Sequence, residues 1–213
     1  MRRLLFPALL LLASAYALPE AAQAQENIAT EELADMALPP SELAKAREFI
    51  SAEDLAVLRQ SAREGWSFDQ YTLGLMYAEG KGVPQSDTQA VYWIRLAAEQ
   101  DNSFAQTNLG LRYMVGEGVP QDYAQGARWL RLAAEWGNQE AQSRLGLLYL
   151  EGQGVPKNYV ASYIWADLAA AQGDEFGLKI KETVAELLTP VERYRARRLS
   201  EECYRQDYRN CTY

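Results

Sequence analysis

Apolar and small residues recur along the centre of the chain at a fixed spacing of 36 residues. The segment Leu73–Tyr77 returns as Leu109–Tyr113 and Leu145–Tyr149 with only its fourth residue changed. Each copy leads into a Gly-x-Gly-Val-Pro stretch, then a tryptophan and, four residues later, a pair of alanines. These markers are Gly80–Pro84, Gly116–Pro120 and Gly152–Pro156, then Trp93, Trp129 and Trp165, then Ala97–Ala98, Ala133–Ala134 and Ala169–Ala170. Because every marker recurs without insertion, the centre of the chain is a tandem repeat.

Each 36-residue unit predicts a pair of α-helices. The apolar positions of the first helix follow a helical period, and this helix ends at the first loop glycine, where a left-handed residue is favoured. The loop proline cannot continue the helix, so the chain turns. The second helix begins near Asp87, Asp122 or Asn158, which are suitable N-caps. Such helix pairs are stabilised by stacking on copies of themselves. The pattern therefore predicts an all-α fold: an α-solenoid of stacked antiparallel helix pairs, with about three full repeats and flanking half-repeats.

Glycine stands inside each predicted first helix, at Gly74, Gly110 and Gly146. A glycine in a helix interior costs about 1 kcal/mol of helix propensity relative to alanine. Its recurrence at this position indicates that the facing helix approaches too closely to admit a side chain. The alanine pairs of the second helices indicate the same close approach from the other side.

Half-units extend the stack at both ends. Residues 53–65 carry the apolar spacing of a lone second helix, and Ser51 with Asp54 supplies its capping signal. Residues 176–188 occupy a first-helix position but have lost the Leu-Gly-x-x-Tyr core, as a terminal repeat that covers an exposed end is expected to do. We therefore expect the repeat solenoid to span residues 51–188.

Residues 189–213 are predicted to form a capping helix and a disulfide-closed tail. The sequence Thr189–Glu192 is a capping box with proline at the first helical position, and the helix is expected to run to about Tyr204. Cys203 and Cys211 are the only cysteines, and in an exported protein a disulfide is the leading interpretation. On one continuous helix their Cα atoms would be ~12 Å apart, beyond the ~7 Å that a disulfide spans, so pairing requires the chain to turn back. An intermolecular bridge and two free thiols are the alternatives.

The first 24 residues predict a cleaved secretory signal peptide. Two arginines precede an apolar run from Leu4 to Leu18, which is shorter than the roughly 20 residues that span a bilayer. Ala22–Ala24 then has the small-x-small pattern of a signal peptidase site. An uncleaved membrane anchor is the alternative. Residues 25–50 follow as a flexible lead-in, in which Glu42–Ile50 has the pattern of a short helix. We therefore expect a periplasmic or secreted protein whose mature form does not span the membrane.

Charge and composition narrow the chemistry that the protein can perform. The chain has 21 basic and 29 acidic residues, a net charge of −8, which disfavours a nucleic-acid partner. It contains no histidine, which excludes Ser-His-Asp and Cys-His catalysis and imidazole metal sites. The sequence also lacks GxSxG, CxxC, HExxH and EF-hand signatures. We therefore expect a protein that is not an enzyme and that uses no cofactor and no metal.

The pattern L-G-x-x-Y-x-x-G-x-G-V-P, followed by A-x-x-W-x-x-x-A-A, resembles the Sel-one-like repeat family, relatives of tetratricopeptide repeats with a longer loop between the helices. The match covers about residues 69–173, with Gly126 and Ser162 in place of Ala90 in the later repeats. The resemblance implies a scaffold or adaptor, and some periplasmic relatives restrain a sensor kinase or scaffold polysaccharide export. A β-lactam-binding hydrolase of a cysteine-rich subgroup is the alternative, although its members carry a cysteine pair in each repeat, which is absent here. A purely structural envelope component is a third reading.

The resemblance also implies where a partner would bind. In tetratricopeptide-like solenoids the first helices line the concave face, and ligands lie there. Carrying the inner-face positions over to this sequence predicts six protein-binding residues: Phe68, Tyr71, Phe104, Thr107, Met114 and Ser143. Aromatic and methionine side chains on an open groove suit the capture of a peptide or helix segment from an envelope-associated protein. The alternative is that Phe68 and Phe104 close the core between neighbouring repeats.

Overall fold

The computed structural model describes residues 50–208 and residue 211. This part of the chain contains nine α-helices and no β-strand, which confirms the all-α prediction. In chain order the helices are α1 (Ala52–Arg63), α2 (Ser67–Glu79), α3 (Asp87–Ala98), α4 (Ser103–Val115), α5 (Tyr123–Glu135), α6 (Gln139–Glu151), α7 (Tyr159–Ala171), α8 (Glu175–Leu187) and α9 (Pro190–Arg205). None of these nine combines the length and apolar character needed to cross a bilayer. The predicted signal peptide and the lead-in, with its short helix, lie outside the described residues except for Ile50.

The ends of the helices follow local signals in the sequence. At the start of α1, Ser51 accepts a hydrogen bond from the amide of Asp54, and α9 begins with the predicted Thr189–Glu192 capping box. The first helices α2, α4 and α6 all end at the first loop glycine, as predicted. These glycines have positive φ angles of 68° at Gly80, 81° at Gly116 and 76° at Gly152. A left-handed residue at this point closes the helix and suits glycine, which has no Cβ.

The second helices begin close to the predicted caps. Asp122 and Asn158 cap α5 and α7, and each side chain accepts a hydrogen bond from a first-turn amide. In α3 the cap is Ser86 instead of Asp87, since its hydroxyl accepts from the amide of Gln89. Asp87 lies in the first turn, where the positive end of the helix dipole favours a carboxylate. The prediction for α3 is therefore wrong by one residue.

The helices stack in chain order as joined pairs. Repeat 1 (α2 and α3), repeat 2 (α4 and α5) and repeat 3 (α6 and α7) each form a tightly packed pair, and each first helix also packs on the second helix before it. Helix α1 covers α2 at one end, while α8 contacts both α6 and α7 and α9 packs against α7 at the other. The described chain is therefore one α-solenoid with half-repeats at both ends.

The small residues allow the paired helices to approach closely. A Cβ built on Gly74 would lie 2.6 Å from the side chain of Ile94, and one on Gly110 would lie 2.8 Å from that of Leu130. The alanine pairs of α3 and α5 are fully buried. The two helices of a repeat therefore approach closely, as the recurrent glycines predicted. A side chain of the second helix fills the space that a Cβ on the glycine would need.

A ladder of buried glutamines, which the sequence reading did not identify, ties each first helix to the second helix before it. The side-chain amides of Gln70, Gln106 and Gln142 donate to the carbonyl oxygens of Ala62, Ala98 and Ala134, at 3.0, 3.1 and 3.2 Å. In two repeats the glutamine Oε1 also accepts a hydrogen bond at 2.7 Å, from Gln100 to Gln70 and from Gln172 to Gln142. Gln106 is different, because Trp136 occupies the equivalent position and its buried Oε1 has no hydrogen-bond partner.

One acidic residue on α7 links α7 to both the C-terminal half-repeat, α8, and the capping helix, α9. Asp167 stands on α7 where the three preceding second helices have Arg59, Arg95 and Arg131. Its carboxylate accepts hydrogen bonds from Lys181 on α8 and from Ser200 on α9, both at 2.6 Å. Because an arginine could not accept these bonds, the substitution lets the last repeat bind a capping helix instead of another repeat.

The tail turns back after α9, as the spacing of its cysteines required. Cys203 and Cys211 are paired with their Cα atoms 5.1 Å apart, a separation compatible with the predicted disulfide. Between them, Asp207 and Tyr208 have positive φ angles of 50° and 64°. The ring of Tyr208 packs on Gly137, where an added Cβ would lie only 2.9 Å from the ring. The tail thus contacts the turn between α5 and α6, while α9 itself packs on α7.

Candidate functional site

The first helices form a continuous surface on one side of the stack. Tyr71 on α2 hydrogen-bonds with Asn108 on α4 and lies within electrostatic range of Glu140 on α6. Arg144 on α6 in turn contacts the ring of Phe176 on α8, with its guanidinium carbon 5.0 Å from the ring centroid. Side chains from four first helices therefore interact directly with those of neighbouring repeats. We call the exposed side of α2, α4, α6 and α8 the first-helix face.

A row of aromatic residues crosses this face at the start of each first helix. Phe68 is 73% exposed and Phe104 is 65% exposed, and the equivalent positions further on are Glu140 and Phe176, which is 37% exposed. The alternative that Phe68 and Phe104 close the core between repeats is therefore wrong, because both rings point largely into solvent. Exposed rings in adjacent repeats are unusual in a fold that buries its repeat tryptophans.

Tyr71 is half-buried beside this row. Burial raises the pKa of its hydroxyl, and the carboxylate of Glu140 raises it further, while the hydrogen bond with Asn108 acts in the opposite direction. The phenol is therefore neutral at physiological pH and remains available as a hydrogen-bond donor or acceptor.

Thr107 and Ser143 are not available to a partner, which corrects their assignment to the binding surface. They occupy the same repeat position as Tyr71 but are only 4% and 1% exposed. Their hydroxyls donate to backbone carbonyls of their own helices, those of Ser103 and Glu140. Tyr71 differs because its longer side chain carries the hydroxyl out to the next repeat.

Met114 lies mainly between its own two helices. A Cβ on Gly126 would be 2.9 Å from Met114 Cγ, so the glycine of α5 makes room for the methionine of α4. In repeat 1 the two equivalent residues are both alanines, Ala78 and Ala90. The glycine at position 126 thus compensates for the larger Met114 side chain. Met114, which was predicted to bind a partner, contributes more to the packing of its own repeat than to an open groove.

The sequence reading missed the residues that accompany the aromatic row. The first-helix face continues from the aromatic position to residues four, seven and eleven positions later in each helix. These are Thr72, Leu75 and Glu79 on α2, Asn108, Leu111 and Val115 on α4, and Arg144, Leu147 and Glu151 on α6, all at least partly exposed. The helical period counted from Phe68 could have identified them, since i, i+4, i+7 and i+11 share one side of a helix.

Acidic groups outnumber basic ones on this face. Glu79, Glu140 and Glu151 are exposed, and Glu140 lies 3.7 Å from Arg144. Arg112, on the same helix as Phe104, is 6% exposed and is 3.5 Å from both Asp87 and Glu117, so it takes no part in the open surface. Glu79 pairs with Lys81 and Glu140 with Arg144, so the face is apolar at Phe68 and Phe104 and carries a small excess of acidic groups, to which Glu151 contributes.

Within residues 50–208 and 211, no three histidine, cysteine or acidic side chains are grouped so that they could hold a metal ion. The two cysteines are paired with each other in the tail, and the first-helix face contains neither of them. The arrangement offers apolar contact, hydrogen bonds and negative charge to another molecule.

Stacked helix pairs with an exposed first-helix face define a helical-repeat scaffold of the tetratricopeptide-like type. The family model of the Sel1 repeat matches residues 68–102, 103–138 and 139–174, which together cover half of the chain. The chain belongs to the Sel1 repeat family, as its motif predicted. Proteins with these repeats are commonly protein-interaction scaffolds, and their fold is typically non-catalytic.

Solved structures support the same assignment. A Sel1 repeat protein from Oxalobacter formigenes is 38% identical, with a TM-score of 0.58, over 61% of this chain and 98% of that one. A protective antigen present in uropathogenic Escherichia coli strains, which displays an SLR fold, is 46% identical, with a TM-score of 0.56, over 58% of this chain and 26% of that one. The chain thus spans about a quarter of the length of that antigen. No curated protein matches the chain.

Proposed function

We propose that this protein is an exported scaffold that binds a segment of a partner protein on its first-helix face. The observation that carries the proposal is the exposure of Phe68 and Phe104, 73% and 65%, at equivalent positions of adjacent repeats. Burial of aromatic surface is favourable, and exposed aromatic residues that recur on one face are typical of interaction surfaces. The partly exposed leucines of the same face, Leu75 and Leu111, would extend the apolar contact beyond the two rings.

The spacing of the two rings suits a regular peptide segment. Side chains of the adjacent first helices α2 and α4 meet, as Tyr71 and Asn108 do, which places the two helices about 10 Å apart. Seven residues of an α-helix rise about 10.5 Å and return a side chain to nearly the same side of the helix. Three residues of an extended strand span a similar distance, but their side chains point to opposite faces. A helical segment can therefore place two apolar side chains on Phe68 and Phe104 together.

The compartment and the pathway are part of the proposal. The N-terminal signal sequence supports a periplasmic or secreted location, and a paired Cys203 and Cys211 suit an oxidising compartment. The resemblance to periplasmic relatives supports a role in regulating or assembling an envelope complex, such as a sensor kinase or the polysaccharide machinery. The partner would then be an envelope-associated protein.

The proposal can be tested by site-specific photo-crosslinking in intact cells. A photoreactive phenylalanine analogue at Phe104 is expected to give a discrete crosslinked product, identified by mass spectrometry. The matched control is the same analogue at Val191, which is 77% exposed and lies on α9, a helix that is not part of the first-helix face. The double variant Phe68→Ala, Phe104→Ala should lose the partner while keeping its unfolding midpoint, because both rings are mostly in solvent. Equal crosslinking at Val191, or none at Phe104, would show that partners do not bind this face.

A further inference from the structure

The first-helix face already binds one cation of its own chain. The guanidinium of Arg144 lies 5.0 Å from the centroid of the Phe176 ring, a cation–π distance, and 3.7 Å from the carboxylate of Glu140. The contact joins two neighbouring first helices, since Arg144 lies 32 residues before Phe176. It covers part of the ring, which is 37% exposed.

Two repeats earlier, the position equivalent to Arg144 holds no cationic residue. Phe104 is equivalent to Phe176, and Thr72 is equivalent to Arg144. The threonine is too short to reach the ring, and its hydroxyl donates to the carbonyl of Phe68 at 2.8 Å, within its own helix. Phe104 is accordingly 65% exposed, nearly twice the exposure of Phe176. Phe104 thus occupies the same repeat position as Phe176, but no arginine stands at the position equivalent to Arg144.

The surroundings of Phe104 favour a positive charge from outside the chain. Glu140 occupies the position of the next repeat that is equivalent to Phe104. It pairs with Arg144 at 3.7 Å, but its side chain stays 54% exposed and its charge reaches across to Tyr71, so its carboxylate can accept a second guanidinium. Arg112 is buried in ion pairs with Asp87 and Glu117 and so does not neutralise this region. The chain as a whole carries a net charge of −8, which attracts a basic segment.

We infer that the partner segment carries an arginine and an apolar residue. The guanidinium of the arginine stacks on Phe104, with Glu140 as its counter-charge, and the apolar residue packs on Phe68. Arginine fits better than lysine because its planar guanidinium stacks on aromatic rings and is more weakly hydrated. This inference rests on the proposed function and specifies the chemistry of the segment that the face selects.

The test uses peptides selected on the protein itself. A random display library is selected on the mature wild-type protein, and peptides that fail to bind the Phe68→Ala, Phe104→Ala variant are kept as probes. Each probe is then resynthesised with its arginines replaced by citrulline, a neutral analogue of similar shape. We expect this replacement to weaken binding about three- to tenfold, and binding to weaken as salt is raised.

A substitution in the protein tests the same contact from the other side. Thr72→Arg should place a guanidinium of the chain itself on Phe104, as Arg144 does on Phe176, and should weaken binding of the arginine probes. Thr72→Gln, which is neutral, is the matched control and should bind like the wild type. Probes that depend on the two phenylalanines but bind equally well with citrulline, or to Thr72→Arg, would overturn the inference and leave the proposed function intact. If selection gives no probe that depends on the phenylalanines, both are overturned.

Discussion

The substitution Gly154→Ala tests how successive repeats hold each other. Gly154 is the second glycine of the repeat 3 loop and has a φ angle of 68°. A Cβ there would overlap the carbonyl group of Tyr123 and lie 2.7 Å from the amide nitrogen of Ala124, at the start of α5 in repeat 2. The loop of one repeat thus rests directly on the backbone of the repeat before it, and any side chain must push the two apart.

The magnitude follows from two separate effects. A non-glycine residue in the left-handed region costs about 1–2 kcal/mol. Forcing an extra carbon into a packed contact typically costs a further 1–3 kcal/mol, roughly, since a backbone carbonyl cannot move aside as a flexible side chain can. Gly173 supplies the control, because its φ angle is 92° but a Cβ there would meet no atom within 4 Å. Gly173→Ala should therefore show the first effect alone.

The assay is equilibrium urea unfolding of the mature protein, followed by tryptophan fluorescence and far-UV circular dichroism. We expect Gly154→Ala to be less stable than Gly173→Ala by about 1–3 kcal/mol, or about 2–12 °C in Tm for a domain of this size. Equal losses in the two variants would refute the reasoning, because they would show that the loop accommodates a side chain without disturbing the neighbouring repeat.

Three further predictions concern single contacts. Trp136→Gln should raise the free energy of unfolding by roughly 0.5–1.5 kcal/mol and so raise the urea midpoint, because a glutamine there can donate to the unpaired Oε1 of Gln106 as its counterparts do in the other repeats. The hydrogen bond to Asp167 raises the pKa of Lys181 above its ordinary 10.5. The stabilisation that this pair contributes is therefore complete below pH 10.5 and is lost as the pH rises through the raised pKa. The difference in urea midpoint between the wild type and Lys181→Met should shrink over that pH range. Reduction of the tail disulfide should lower the free energy of unfolding by about 2–3 kcal/mol, measured by urea unfolding with and without reductant. The Tyr208 ring should then lose its contact with Gly137.

Each of these has an outcome that would contradict it. An unchanged or lower midpoint in Trp136→Gln would show that the tryptophan packing outweighs the added hydrogen bond. A gap for Lys181→Met that stays constant above pH 10.5 would remove the charged pair with Asp167 as its cause. Two alkylated free thiols in a mass spectrum of the non-reduced tail peptide would eliminate the disulfide.

The interaction surface was predicted less accurately than the repeats. The sequence placed the binding residues on the first helices but chose Thr107 and Ser143, which are buried, over Asn108 and Arg144, which are not. Adjacent residues on a helix differ in direction by about 100°, so an error of one position moves a side chain from the open face to a packed one. The comparison of repeats could not resolve this, because both positions vary.

The buried glutamines show a second kind of limit. Gln70 and its equivalents recur every 36 residues, so the period was visible, but a polar residue two positions after Phe68, Phe104 or Glu140 does not stand out as part of a core. Only the position of the preceding helix shows that each side-chain amide donates to a backbone carbonyl at the C-terminal end of that helix. A buried polar group of this kind is stable only when that partner is in place.

The sequence by itself determined the helix pairs, their ends and their stacking. Caps, loop glycines, prolines and apolar periods act over a few residues, and the repeat copies them at every unit. The tertiary structure decided which side chains of different repeats meet: Tyr71 with Asn108, Arg144 with Phe176, and Tyr208 with Gly137. These contacts depend on the rotation of each repeat against the next, which arises from the packing of whole helices, and no short stretch of sequence encodes that angle.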